Sequence, residues 1–224
     1  MRRRFFVLLA ASGSLAGCTA TPSAAASPSP RPAVADDYWW FRLEHDLGQG
    51  FCFTWVRGLI PRQVQQRLGG TELERVYWQQ LVGSGDGPRE PAGRYYIGVG
   101  KVGDWSLIVE DHGDLGATDR FALPLSVGTT LVSHCRAADG HGRFLLAVDS
   151  VVQLDFDPRA PGKLRGERAG ELAPQVTAAG FGDGSNSYRS MEAAFALAER
   201  LTGVSMTQDL LRNNTYLLTT VPRT

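Results

Sequence analysis

The sequence predicts an α+β fold, in which a single domain is formed mainly by an antiparallel sheet with helices packed on it. Two observations favour this class. Strand-like runs follow one another in groups joined by turns, at 94–111 and again at 129–157. Helical segments separate these groups in pairs instead of alternating regularly with single strands. The hydrophobic content, 43% of 224 residues, is enough for the core of one domain.

The chain begins with a segment typical of a secretory signal. Three arginines follow Met1, an apolar run extends to Ala16, and the small residues end on Cys18. Residues 15–18, Leu-Ala-Gly-Cys, resemble the lipobox of bacterial lipoproteins in all four positions. The resemblance implies that residues 1–17 are a lipoprotein signal peptide. It also implies that the Cys18 thiol carries a diacyl lipid of the palmitate type and becomes the mature N-terminus.

Two alternatives stay open, a cysteine that follows an ordinary signal by chance and an uncleaved anchor. The apolar run is shorter than the roughly 20 residues that a membrane-spanning helix needs.

The sequence also leaves the export route open. The segment Arg2-Arg3-Arg4-Phe5-Phe6 resembles the twin-arginine pattern, and it is equally compatible with a plain basic start for general secretion.

Residues 18–37 are predicted to comprise the lipidated cysteine and a tether rich in Pro, Ala and Ser. Such a segment has too few large apolar side chains to fold by itself. The globular domain is therefore predicted over residues 38–224. We expect the lipid on Cys18 to hold this domain at the extracytoplasmic face of the cell membrane.

The first half of the domain is predicted to mix helices and strands. Phe51, Phe53 and Trp55 alternate with smaller residues, which is typical of a strand. Pro61 suits the first position of a helix, and residues 71–82 carry apolar side chains at helical spacing. The predicted elements are a short helix at 37–47, a strand at 50–59, helices at 61–70 and 71–82, and strands at 94–103 and 105–111.

The second half is predicted to contain a meander of strands followed by helices. Pro124 interrupts a short helix at 117–127. Ser190 is expected to cap a helix that Gly203 ends. The remaining predicted elements are strands at 129–135, 143–149 and 151–157, helices at 170–180, 189–202 and 206–212, and a last strand at 214–221.

The charge balance argues against a nucleic-acid partner. The chain has 23 basic and 23 acidic residues, and loss of residues 1–17 removes three arginines and no acid. The mature chain is then mildly acidic, without the basic surface that binding to phosphates requires.

Two cysteines remain after Cys18. Cys52 and Cys135 lie in predicted strands, one near a start and one near an end, and such positions are opposite each other in an antiparallel pair. An exported chain leaves the reducing cytosol, so this pair is a candidate disulfide. The alternative is a pair of buried free thiols, which behave as small apolar side chains.

One glycine-rich segment matches a nucleotide-binding motif only in its letters. Residues 98–103, Gly-Val-Gly-Lys-Val-Gly, match the dinucleotide-binding pattern by letter. In that pattern the glycines open a helix, whose N-terminus meets the pyrophosphate. Here a predicted strand follows, so the glycines are interpreted as a hairpin and no cofactor is predicted.

Two groups of polar residues are candidate sites. Glu110, Asp111, His112 and Asp114 lie in one turn, and such oxygen and imidazole ligands could hold a cation. Asp155 and Asp157 share one face of a strand end, where a carboxylate dyad could form. Solvated turns are the alternative in both places. Because metal-binding motifs are absent, no metal is predicted.

The four histidines are scattered, and no Gly-x-Ser-x-Gly motif accompanies them. A hydrolytic site assembled only in three dimensions, from Asp155, Asp157, His134 or the 110–114 turn, stays open. The sequence therefore does not decide whether the protein is an enzyme, although it favours a binding function over catalysis.

Four segments, which start at Phe51, Ile97, Gly128 and Ala194, occur in an order that resembles a bacterial domain-of-unknown-function family, DUF6461, common in high-GC Gram-positive organisms. The similarity covers most of residues 38–212, and the segments around 57–59 and 198–203 are the most specific. The family implies no activity. Its members usually carry an Asn-Gly-Trp-like turn where this chain has 112–114, and an Asn-rich turn where it has 137–139.

We therefore expect an envelope lipoprotein whose domain binds an envelope protein or glycan. The membrane partner is contacted through the lipid on Cys18. An envelope hydrolase with an acidic and histidine site is the first alternative, and an immunity-type protein is the second.

Overall fold

A computed structural model describes residues 31–82, 93–182 and 189–223. It confirms the predicted fold class, because eight strands form one sheet in the order β2-β8-β3-β4-β1-β5-β6-β7 and every neighbouring pair is antiparallel. The strands are β1 Phe51–Arg57, β2 Thr71–Tyr77, β3 Arg94–Val102, β4 Trp105–Asp111, β5 Thr130–Arg136, β6 Gly142–Val148, β7 Val151–Phe156 and β8 Thr215–Pro222.

The helices are short except for one. They are α1 Pro61–Arg67, α2 Trp78–Leu81, α3 Asp119–Leu125, α4 Ala169–Val176, α5 Ser190–Thr202 and α6 Gln208–Asn213. Three 3₁₀ segments, Ala35–Leu43, His45–Leu47 and Leu115–Ala117, and a π-helical turn, Thr177–Phe181, complete the described elements.

The sheet separates two apolar layers, because successive side chains of each strand point to opposite faces. On the first face, Phe51, Phe53 and Trp55 pack against the 3₁₀ helix Ala35–Leu43 and helices α4, α5 and α6. On the second face, Val56 and Leu131 pack against α1, α3 and the Leu115–Ala117 turn. We call these the α5 face and the α1 face.

The N-terminal 3₁₀ helix, Ala35–Leu43, runs antiparallel to α5. At one end, Arg200 Nε of α5 donates to the Ala33 carbonyl over 2.6 Å. In the middle, the buried Tyr38 hydroxyl donates to Glu199, and burial raises the pKa of this phenol. At the other end, Arg42 pairs with the buried Glu192. The start of the domain is therefore fixed along the length of α5.

The compact unit begins at Pro32, earlier than the predicted boundary at residue 38. Ala33 and Ala35 are buried in the core of the α5 face, so the end of the predicted tether at 18–37 belongs to the domain. The lipidation site at Cys18 and the predicted signal at 1–17 lie outside the described residues.

The predicted helix over 71–82 is wrong. Thr71–Tyr77 is the edge strand β2, paired with β8, and only the single turn α2 follows it. The predicted cap at Ser190 is displaced by one residue, because Arg189 is the N-cap of α5. Gly203 ends α5 as predicted, with a φ of 72° that suits glycine.

Within the described ranges, we find no helix with the length and hydropathy needed to cross a membrane.

Candidate functional site

One end of the sheet carries the polar groups that the sequence singled out. At this end β1 starts, β4 and β5 finish, and β6 starts, because Phe51 is opposite both Asp111 and Arg136, and Arg136 is opposite Gly142. Two cavities open here, of about 600 and 500 Å³. We call them the turn cleft and the arginine cavity.

The turn cleft is lined by the 112–114 turn and the 137–143 loop. These turns follow β4 and β5, which are not neighbours in the sheet, and β1 lies between them. The His112 amide donates to the Gly50 carbonyl over 3.3 Å, so the segment before β1 holds the first turn. His112 has a φ of 61°, a left-handed conformation that non-glycine residues adopt mainly in such turns.

The second turn is held by its own hydrogen bonds. Ala137 donates from its amide to the His141 carbonyl over 2.8 Å, and Gly140 donates to the Ala137 carbonyl over 2.9 Å. The His141 amide donates to Asp139 Oδ1 over 2.9 Å. Both walls of the cleft are therefore held by hydrogen bonds within the chain.

Two imidazole–carboxylate pairs flank the turn cleft. His112 Nδ1 lies 2.7 Å from Asp111 Oδ1, and His141 Nδ1 lies 3.0 Å from Asp157 Oδ2. Asp157 orients the His141 ring through a hydrogen bond at Nδ1, and the Nε2 atom of His141 is then the available acceptor or base, whereas His112 and Asp111 are in close contact without hydrogen-bond geometry. Both imidazoles are half or more exposed, so they can meet a ligand from solvent.

The other predicted acids have structural contacts. Asp155 is buried and accepts from Arg143 Nε over 2.9 Å and from Arg165 Nη2 over 3.1 Å. Glu110 is fully buried, and its carboxylate accepts from the amides of Leu115 and Gly116 over 3.1 and 3.3 Å. These two residues hold the cleft walls in place from behind.

The predicted polar site is thus divided by the structure. Asp111 is in close contact with His112, which lines the cleft with Asp114. Asp157 reaches the cleft through His141, and Asp155 and Glu110 lie behind it. Asp155 and Asp157 do not form a dyad, because each has its own cationic or imidazole partner.

His134 lies away from the cleft. It is buried on the α5 face among Phe51, Phe144 and Phe195, and neither ring nitrogen has a hydrogen-bond partner. Burial and, to a smaller extent, the charge of Arg136 lower the pKa of His134 from 6.5 to about 3. This side chain is a neutral core residue, not a proton-transfer group for the cleft.

Cys52 and Cys135 are register partners on the α1 face, and the structure joins them in a disulfide. Cys135 also lines the turn cleft. Because its sulfur is bonded, Cys135 does not offer a thiolate nucleophile there.

The arginine cavity lies on the other side of the Arg136–Asp139 segment, toward α5. Its wall includes Arg42, Arg136 and Arg159, together with Ser190 and Met191 at the start of α5. Sequence reasoning missed this site, because the three arginines are far apart in the chain and only the fold brings them together. Across the described ranges, no group of three or more His, Cys, Asp or Glu side chains is placed to hold a metal ion.

The family comparison agrees with the extent of the fold. The model of a family of unknown function, DUF6461, matches residues 31–224. The chain belongs to the DUF6461 family. No curated protein and no solved structure matches this DUF6461 chain.

Proposed function

We propose that this DUF6461 protein is a membrane-anchored envelope lipoprotein whose domain is a binding module, and that the turn cleft receives the ligand. The anchor is supported by the Leu-Ala-Gly-Cys sequence at 15–18 and by the Pro-, Ala- and Ser-rich segment after it. The ligand is an envelope protein segment or a glycan.

One observation carries the binding proposal. Two turns that are more than 20 residues apart in sequence converge on one cleft of about 600 Å³, and both are preorganised by hydrogen bonds. A concave site with a few fixed polar groups is the usual form of a small-ligand site. The wall offers imidazoles at His112 and His141 and a carboxylate at Asp114, which suit hydroxyl and amide groups.

The cleft can be tested by filling it. Ala138 is an exposed residue that lines both cavities, and Ala178 is an exposed alanine that lines neither. We expect crosslinking on intact cells, and sedimentation with isolated cell-wall glycan, to detect the same ligand with wild type and with Ala178→Trp. The variant Ala138→Trp should lose that ligand.

The proposal fails if wild type gives no reproducible partner in either assay. It also fails if Ala138→Trp binds as well as Ala178→Trp does. Thermal unfolding of both tryptophan variants should give similar midpoints, which excludes misfolding as the cause of lost binding.

A second function, envelope hydrolysis, is favoured by the hydrogen-bonded pair of His141 and Asp157. An imidazole held at Nδ1 by a carboxylate can take a proton from water at Nε2. Release of soluble fragments from labelled cell-wall glycan would support this function if His141→Gln and Asp157→Asn both abolished it. Without such release, the cleft is a binding site only.

A further inference from the structure

Arg136 has an unusual position for a guanidinium. It is the last residue of β5, it is half-buried, and it lines both cavities. Among the residues that the structure describes, no acidic side chain forms an ion pair with it. A partly buried charge without a counter-ion is unfavourable, because its hydration is lost without compensation.

Neighbouring arginines do have acidic partners. Arg42 pairs with Glu192, and Arg143 pairs with Asp155 and Asp119. Arg136 therefore differs from these arginines by lacking an acidic partner, although it is within the same region of the fold.

The two acidic side chains that line the arginine cavity form hydrogen bonds with groups other than Arg136. Glu44 is buried and accepts from Arg212 Nη2 over 2.9 Å and from Gln208 Nε2 over 2.7 Å. Asp139 accepts from the His141 amide. Neither carboxylate serves as the counter-ion of Arg136.

A second cation and a helix end face the same cavity. Arg159 packs against Gly140 and donates to the Asp139 carbonyl over 3.0 Å, without an acidic partner in the described residues. The 13-residue helix α5 begins in the cavity wall at Ser190, so the positive end of its dipole adds to the field of the arginines.

We propose that the arginine cavity binds an anionic group of the ligand, a carboxylate or a phosphate, with Arg136 as the principal contact and Arg159 as the second. The planar guanidinium fork accommodates two oxygens of either group. This inference rests on the binding function proposed above. Because Arg136 belongs to both cavities, a ligand in the turn cleft can extend its anionic group into the arginine cavity.

The test uses the compact domain, residues 32–224, and three probes at fixed ionic strength. These are inorganic phosphate, succinate, and chloride as the control anion. We expect phosphate or succinate to raise the thermal midpoint in a saturable way, and the stronger of the two identifies the anionic group. Arg136→Gln should weaken that binding at least tenfold, whereas Arg136→Lys should retain part of it.

The matched control is Arg62→Gln, because Arg62 is an exposed arginine on α1 whose guanidinium is 3.7 Å from Glu72, and it lines neither cavity. Its affinity for the probe should equal that of wild type. Arg136→Gln should also leave the midpoint of the ligand-free protein unchanged or higher, since it removes a charge that lacks a counter-ion. A merely structural arginine would lower this midpoint.

The proposal is overturned if neither anion binds wild type saturably, or if Arg136→Gln binds it as wild type does. Failure of the turn cleft is a separate result. Ala138→Trp could leave envelope binding intact while the purified domain still bound succinate or phosphate through Arg136, and that outcome would reject the first proposal alone.

Discussion

Cys52 and Cys135 are directly opposite each other in the antiparallel pair of β1 and β5, and their Cα atoms are 4.0 Å apart. Both are buried on the α1 face, beneath the Leu115–Ala117 turn. Their separation of 83 residues makes the crosslink a long-range one, which removes much freedom from the unfolded chain.

Reduction of the Cys52–Cys135 bond is expected to lower the thermal midpoint by roughly 8–20 °C. The chain-entropy account assigns about 4–5 kcal/mol to a loop of this length, and about 1 kcal/mol moves the midpoint of such a domain by about 2–4 °C. Scanning calorimetry with and without reductant measures the shift. Alkylation of the exported, unfolded domain should give no adducts before reduction and two after it.

The control for this experiment is the double variant Cys52→Ala with Cys135→Ala, whose midpoint should not respond to reductant. Two adducts on the unreduced exported domain would show that the cysteines are free thiols. An unchanged midpoint on reduction would mean that the bond does not stabilise the fold.

His134 is expected to make the domain sensitive to acid. Its pKa falls from 6.5 to about 3 on folding, chiefly through burial. The unfolded chain therefore binds a proton that the folded chain does not, and stability is lost as pH falls from 6.5 toward 3, by about 1.4 kcal/mol per pH unit at most. His134→Leu should flatten this part of the pH profile in urea unfolding at pH 7, 6, 5 and 4. Parallel profiles for the two proteins would contradict the assignment.

The dependence of stability on pH should also change when Arg136 is replaced. Its positive charge is the smaller cause that lowers the pKa of His134. Arg136→Gln should therefore raise the pKa of His134 in the folded protein, and the loss of stability should end at a higher pH than in wild type. Arg62→Gln should leave the profile unchanged, since Arg62 lies on α1, on the other face of the sheet.

Gly116 is expected to tolerate no side chain. A Cβ atom there would overlap Thr54 Oγ1 and approach Cys52 Sγ to 2.9 Å, and both atoms are buried. Gly116→Ala should cost about 1–3 kcal/mol, as overpacking does elsewhere. Gly170→Ala is the control, because Gly170 is helical and no atom lies within 4 Å of the added Cβ. Equal midpoints for the two variants would show that the Leu115–Ala117 turn can shift.

Cys18→Ser is expected to abolish lipidation. The serine cannot form the thioether, so the chain should remain an uncleaved precursor or be released without lipid. Labelling of growing cells with a palmitate analogue checks this, with Ser14→Ala as a matched change within the leader. Incorporation by the serine variant at the wild-type level would refute the lipoprotein interpretation.

The strands of the sheet interior could be predicted from sequence, because burial on both faces requires the nearly continuous apolar runs that β1 and β4 show. β2 could not. Of its seven residues only Val76 is buried, so Leu73 and Tyr77 carried a helical spacing with no core to enforce it. Pairing with β8, which is distant in sequence, decides the conformation of this edge strand.

The candidate site could be predicted only in part. The 112–114 turn stood out because its polar residues are consecutive. Its convergence with the 137–143 loop depends on the insertion of β1 between β4 and β5, which no local pattern encodes. Arg136 gave no signal in the sequence, because its distinguishing property is the lack of an acidic neighbour in three dimensions.

The contacts between the N-terminal 3₁₀ helix and α5 determine where a mechanical force on the preceding chain would act on the domain. Force transmitted by the chain before Pro32 reaches the fold at Ala33, whose carbonyl is held by Arg200 near the C-terminal end of α5. The arginine cavity is at the opposite end of that helix, where Ser190 and Met191 form part of its wall. A pull between the preceding chain and a molecule held in this cavity would therefore load α5 along its length.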